Sequence, residues 1–378
     1  MTANVMTRRL TVTLLALATV AVGVPQAQAT FPGRNGALLV WGDSRWIGSD
    51  PRACQRRYPN DLTPPRLVGR VADEDQGSDN CRGRPVVFLA GPGSLRVRLL
   101  SDHWSVVEGD LSLSPRHTRV AFTSGRYLRR GLEVVTLGGD VRARWLGVPG
   151  QPESSEALAP SWSPDGQRLA YEEYSPCRST DCSISRVRIV RPGGGGRTLA
   201  TGCAPVWSAR NWLAFYRIPE RVSTGLEGCV VRSVRQAGIF VIRPDGTGLR
   251  RIVRGSLVPS PSFAGHPLTW SPDGRALAFA AGNQGFTTPT SWLYRVGADG
   301  RGLRRIAETL APPETAIHRP VWSPDGRWIA FSYGSGAANT FLMRSSPRHP
   351  LRFGRWRKVV ANAVPLDWQA LPTRRNGR

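Results

Sequence analysis

Lysine is almost missing from this chain. Lys358 is the only one, so 50 of the 51 basic residues are arginine. Genome composition alone can produce such a skew, so the formal charge of +24 is only a weak argument for nucleic acid. Long apolar runs are absent beyond residue 24, which removes a membrane-spanning helix from the body of the chain. Catalytic signatures are absent too. There is no Gly-x-Ser-x-Gly elbow and no His-Glu-x-x-His pair. The four-glycine run 193–196 is not followed by Lys-Ser or Lys-Thr, so it is no phosphate loop. No two cysteines form Cys-x-x-Cys, and no Cys/His cluster has zinc spacing.

What is abundant is punctuation. The 378 residues include 41 Gly and 31 Pro, too many for long helices, and a helical bundle is excluded. The 13 Trp and a 40% hydrophobic share are enough for a packed core. At the N-terminus, Arg8 and Arg9 precede an uncharged apolar run over residues 10–24, and Ala27-Gln28-Ala29 is a small-x-small cleavage pattern. Residues 1–29 therefore read as a secretory signal peptide. Its removal leaves a mature charge of +22 and an exported protein, extracellular or periplasmic, with no spanning segment.

Internal repeats organise residues 30–378. Trp162-Ser163-Pro164-Asp165-Gly166 recurs as Trp270-Ser271-Pro272-Asp273-Gly274 and as Trp322-Ser323-Pro324-Asp325-Gly326. Weaker copies begin at Leu113-Ser114-Pro115 and Trp207-Ser208-Ala209. Successive serines of these five copies lie 49, 45, 63 and 52 residues apart. A short apolar run follows each turn. Between them lies a second repeat in which Asp245-Gly246 and Asp299-Gly300 each join two short apolar runs, a strong hairpin signal. The unit is four strands, A to D, with the Trp ending strand A and the Ser-Pro-Asp-Gly turn opening strand B. Four strands repeated at about 40–50 residues predict a β-propeller. The count is six blades, all-β, each a four-stranded antiparallel sheet. Residues 37–41 fit a first B strand without an A strand, and Val364-Pro365-Leu366-Asp367-Trp368-Gln369 fits an A strand without a B strand. The C-terminal strand should therefore complete the first blade and close the ring, which removes open sheet edges.

These Trp-Ser-Pro-Asp-Gly repeats resemble those of the TolB-type propellers, the WD-like repeats of exported bacterial proteins. The opening Phe31-Pro32-Gly33-Arg34-Asn35-Gly36 and the closing Asp367-Trp368-Gln369 share the resemblance, which covers the whole mature chain. It implies a protein-binding or ligand-binding scaffold of the cell envelope. The fold also hosts enzymes and peptidase accessory domains, so it does not decide function.

Functional positions are expected on the face opposite the Ser-Pro-Asp-Gly turns, where the longest connections fall, about 43–85 in blade 1 and 218–237 in blade 4. All six cysteines map to loops of that face: Cys54, Cys81, Cys177, Cys182, Cys203 and Cys229. Export favours disulfides. The simplest pairing is 54–81, 177–182 and 203–229, although spacing leaves the connectivity open. In the first insertion, Asp73, Asp75 and Asp79 alternate with other residues around Gly77, an incomplete calcium-loop pattern. No Glu closes the pattern, and a solvated acidic loop is the simpler reading. His266 and His318 each stand four residues before a repeat Trp, at equivalent places near the channel mouth. Two imidazoles in register can hold a metal or a carboxylate, but no third ligand accompanies them, and lining a polar mouth is simpler.

The expected function is that of a non-enzymatic, monomeric scaffold without a resident cofactor. It binds a protein or an anionic envelope polymer through the loop face and does not bind nucleic acid. The alternative is a lyase- or lactonase-type enzyme with its site at the channel mouth.

Overall fold

The computed structural model describes residues 33–43, 85–90, 97–101, 106–116, 118–126, 129–136, 144–146, 155–176, 183–191, 195–219, 230–231, 233, 235–255, 257, 267–283, 290–310, 316–334, 339–352, 355–361 and 363–371. The described residues hold strands and turns, and no helix. The signal segment, the insertion after residue 43, and the calcium-like acids Asp73, Asp75 and Asp79 lie outside them.

The strands form six sheets. Blade 1 contains β1 (Arg34–Asp43), β2 (Pro85–Ala90) and β3 (Val97–Ser101). Blade 2 is β4 (Val106–Leu113), β5 (Arg119–Arg126), β6 (Arg129–Thr136) and β7 (Arg144–Leu146). Blade 3 is β8 (Glu156–Trp162), β9 (Leu169–Pro176), β10 (Ser183–Val190) and β11 (Gly196–Thr201). Blade 4 is β12 (Cys203–Trp207), β13 (Leu213–Pro219), the short β14 (Val230–Val231), β15 (Gly238–Ile242) and β16 (Arg250–Arg254). Blade 5 is β17 (Leu268–Trp270), β18 (Ala276–Asn283), β19 (Thr290–Gly297) and β20 (Arg304–Leu310). Blade 6 is β21 (Ala316–Trp322), β22 (Trp328–Gly334), β23 (Asn339–Arg344) and β25 (Arg357–Val360), with β24 (Leu351–Arg352) between the last two.

The last strand, β26 (Ala363–Leu371), runs antiparallel beside β1 and supplies blade 1 with its inner strand. Each inner strand lies against the next, in the order β26, β4, β8, β12, β17, β21 and back to β26. The ring is closed as the repeat pattern predicts. Two short strands were not foreseen. β14 pairs in parallel with β13, and β24 leaves blade 6 to pair in parallel with β20 at the outer edge of blade 5.

The turns show why the Ser-Pro-Asp-Gly sequence recurs. In blade 5 the Ser271 hydroxyl donates to Asp273 Oδ1 at 2.6 Å, while its Oγ accepts the Ala276 amide at 2.9 Å. Asp273 Oδ1 also accepts the Arg275 amide at 3.0 Å. Gly274 closes the turn at φ +64°, where an L side chain is strained. The same contacts recur at Ser163 and Ser323. In blade 4, Asn211 takes the left-handed position at φ +60°, which explains how that copy survives without Gly. Ser271→Ala removes a buried donor and acceptor together. It should lower stability by about 1–2 kcal/mol, read from the denaturation midpoint at unchanged slope.

Between neighbouring sheets the core is apolar, and the repeat tryptophans are its wedges. Trp162, fully buried, packs with Ala121, Leu132 and Val134 of blade 2. Its indole N–H donates to the Ser112 carbonyl of that blade at 3.1 Å. Trp270 does the same to the Val206 carbonyl of blade 4, also at 3.1 Å. Arginine joins the same seams. The Arg119 guanidinium lies 4.6 Å over the Trp162 ring, and Arg168 lies 5.1 Å over Trp207, each reaching into the next blade. Arg197 and Arg304 donate to the outer turns of blades 4 and 6 at Pro244 and Pro347. Part of the basic excess thus has a structural use that lysine serves poorly, because a flat guanidinium both stacks and donates in several directions.

Candidate functional site

The inner strands depart from regular geometry at one repeated place. Ala159, Ala204 and Arg319 all have positive φ, of 51°, 44° and 47°. Each precedes a proline and stands three residues before its repeat Trp. A register shift in the inner-strand pairing accompanies all three. A residue before proline is kept out of the right-handed helical region, and the bulge takes up the extra residue in the left-handed one. The prolines of these strands were visible in the sequence. The bulge was not, because it needs the pairing partner to define it.

Below the bulge, the position just before the repeat Trp (a Trp replaced by Leu113 in blade 2) lines the channel. It is occupied by Ser112, Ser161, Val206, Thr269, Val321 and Asp367, one from each blade. The pocket they help to line, about 60 Å³, suits a few waters at most. Three of these side chains serve the ring itself. Ser161 Oγ accepts the Trp207 amide of the next blade at 2.9 Å, and Thr269 Oγ1 accepts the Trp322 amide at 3.3 Å.

Asp367 performs this task twice. Its Oδ2 accepts the Leu113 amide of blade 2 at 2.9 Å, and its Oδ1 accepts the Trp368 amide at 2.8 Å. The preceding blade offers Val321 at this position, which has no acceptor, so the second carboxylate oxygen covers Trp368. Burial pushes the Asp367 carboxyl up to about 6, against the pull of the Leu113 and Trp368 amides. This acid was noted in the sequence only as part of the closing motif. Aligning the residue before each Trp would have exposed it as the one ionisable member of its layer.

His318 lies on β21, one residue before the bulge, and is partly buried. Its imidazole is pushed down to about 4, first by burial and second by the Arg319 charge. At neutral pH it is an uncharged ring. Its sequence counterpart, His266, lies outside the described residues, so the structure does not bring the pair together. Cys203 is buried and disulfide-bonded. Its partner lies outside the described residues, as do Cys54, Cys81, Cys177, Cys182 and Cys229. Among the described residues, no group of three His, Cys, Asp or Glu side chains is placed to hold a metal ion.

Sequence reasoning also missed a pair of buried acids on β9. Glu172 accepts the Ser185 hydroxyl at 2.6 Å and the Ala204 amide at 2.9 Å, so it holds the bulge of blade 4. Glu173 is buried on the opposite face and pairs with Arg188 at 2.6 Å. The signal was present in Tyr171-Glu172-Glu173, where two acids interrupt the apolar second strand of blade 3. Both are satisfied within the fold.

No protein-family profile matches the chain. In sequence it is similar to an uncharacterised protein of Agrobacterium fabrum, 27% identical over 228 residues, which cover 58% of this chain and 63% of that protein. In structure it is similar to TolB from Acinetobacter baumannii, with a TM-score of 0.50 and 13% identity, over 75% of this chain and 60% of that one. An oligogalacturonate lyase from Vibrio parahaemolyticus gives a TM-score of 0.45 at 13% identity, over 72% of this chain and 70% of that one. A puromycin-hydrolysing peptidase from Mycobacterium tuberculosis gives 0.44 at 17%, over 73% and 42%. The chain spans about three fifths of the length of its Agrobacterium relative and of TolB. The TolB likeness agrees with a propeller fold, and at this identity it speaks of fold alone.

Proposed function

We propose that this chain is an exported propeller scaffold that binds a protein or an anionic envelope polymer through its loop face, without catalysing a reaction. The observation that carries the reading is the small size of the pocket that the described residues form in the channel. Its roughly 60 Å³ is far below the about 300–1,000 Å³ of ordinary small-molecule sites. Three of the polar groups lining it, Ser161, Thr269 and Asp367, are taken up by backbone amides, which favours binding at the outer surfaces. Export rests on the Arg8-Arg9 and Ala27-Gln28-Ala29 pattern, and the preference for an anionic partner rests on the mature charge of +22.

The test is salt dependence. Binding to an anionic wall polymer should weaken at least tenfold between low and physiological salt, because screening shortens the reach of the arginines. Equal binding at both salts removes the electrostatic half of the proposal. Metal analysis tests the other half. Stoichiometric metal in the purified protein, lost in a His266→Ala/His318→Ala variant, would overturn it in favour of an enzyme.

A further inference from the structure

The face carrying the Ser-Pro-Asp-Gly turns also carries the outer C-to-D turns, and two of these are unusual. Leu249 and Leu303 are 48% and 39% exposed, the two large apolar side chains left in solvent among the described residues. They occupy the same repeat position in neighbouring blades, in Gly248-Leu249-Arg250 and Gly302-Leu303-Arg304. Single exposed leucines need no explanation. Two at one repeat position on one face, each followed by arginine, form a pattern.

Their surroundings are basic. Arg243 and Arg250 lie 5.0 and 5.3 Å over the half-buried Trp212 ring, one stack at the edge of blade 4. Arg275 and Arg301 are exposed on the turns of blade 5. The acids of these turns, Asp245, Asp273 and Asp299, accept amides of their own turns through Oδ1. The turns are also held rigidly. Arg197 of blade 3 donates to the Pro244 carbonyl of the blade 4 turn. A side chain at Gly300 would meet the Ile252 carbonyl of blade 4 at 3.2 Å. The leucines are therefore presented by fixed loops.

From this we infer that the turn face of blades 4 and 5 docks on a lipid surface bearing anionic headgroups. The guanidiniums pair with phosphates, Trp212 sits at headgroup level, and Leu249 and Leu303 enter between the headgroups. A soluble polyanion would satisfy the arginines equally well, but it offers the leucines nothing. Apolar tips set among basic residues are the combination that a membrane interface rewards. This face lies opposite the loop face of the functional proposal, so neither surface depends on the other.

The experiment is co-sedimentation of the mature chain with phosphatidylcholine vesicles, with and without phosphatidylglycerol. The protein should sediment only with the phosphatidylglycerol vesicles. Leu249→Ser/Leu303→Ser should lower the partition about tenfold at unchanged melting temperature. Arg243→Gln/Arg250→Gln should lower it about thirtyfold. Two results overturn the inference. One is no sedimentation with either vesicle. The other is sedimentation indifferent to the leucine substitutions and abolished by dextran sulfate, which would reassign the face to soluble polyanions.

Discussion

A chain ending at residue 362 should fail to fold as a cooperative unit, because it lacks β26. That strand buries Ala363, Leu366, Trp368 and Ala370, and the Trp368 indole donates to the Gly36 carbonyl at 3.2 Å. It also carries Asp367, which caps the Leu113 amide of blade 2. Apolar burial of about 1.5–3 kcal/mol per large side chain, together with the lost ladder along β1, approaches the whole stability of about 5–15 kcal/mol expected of a domain. Truncation also opens the ladder edge of β1 and uncovers the side of blade 2 that β26 packs against, so aggregation should accompany the loss. The discriminating control is a permutation. Leu371 is paired with Arg34, and a side chain at Gly33 would stand 2.7 Å from the Leu371 carbonyl. Moving residues 363–371 ahead of Gly33 through a short flexible linker therefore preserves every pairing. The permuted chain should regain cooperative unfolding, observed by circular dichroism and calorimetry. If the truncated chain unfolds cooperatively near the full-length midpoint, strand closure does not hold the ring.

The same strand shows what the sequence could disclose. Its place in blade 1 was legible because Trp368 repeats the wedge of Trp162 and Trp270, and a ring of repeats must account for an A strand without a B strand. The turns were legible because Pro, Asp and Gly each have a local geometric role. The bulges at Ala159, Ala204 and Arg319 were not, because alanine and arginine carry no local signal for positive φ. The use of Asp367 was not legible either. In sequence it is one acid before a Trp, and only the closed ring brings the Leu113 amide to its Oδ2. Of the proposed loop-face residues, His318 and Cys203 are placed, while the two-histidine arrangement and the calcium pattern depend on residues outside the described set. The part of the charge excess that serves the fold resisted reading for a different reason. Arg119, Arg168 and Arg197 act across blade boundaries, on aromatic rings or carbonyls about 40–50 residues away in the repeat, a spacing set by blade length and not by local sequence.

The stability of the ring should depend on pH through two buried groups that oppose one another. Asp367 ionises at an ordinary value of 3.8 when unfolded and at about 6 when folded, raised by burial. Below 3.8 both states hold the proton. As pH rises toward 6 the unfolded chain ionises first, so the stability present at low pH is lost through the folded value. The loss amounts to about 3 kcal/mol by neutral pH. His318 runs the other way. Its ordinary 6.5 falls to about 4 in the fold, lowered by burial and by the Arg319 charge. Its contribution is complete above 6.5 and is lost as pH falls toward 4, because the unfolded chain takes up the proton first. Between about 4 and 6 the two slopes offset each other, and the wild type should show a nearly flat profile from this pair. Single variants expose the terms. Asp367→Asn keeps an amide oxygen for one backbone N–H but cannot ionise, so its stability relative to wild type should improve by about 3 kcal/mol between pH 4 and pH 7. His318→Gln should show the opposite trend, losing ground to wild type as pH rises through the same range. Urea titrations at a series of pH values measure both differences directly. Parallel curves for Asp367→Asn and wild type would mean that the carboxyl ionises alike in the folded and unfolded chain, and that the two backbone amides at the seam offset its burial in full.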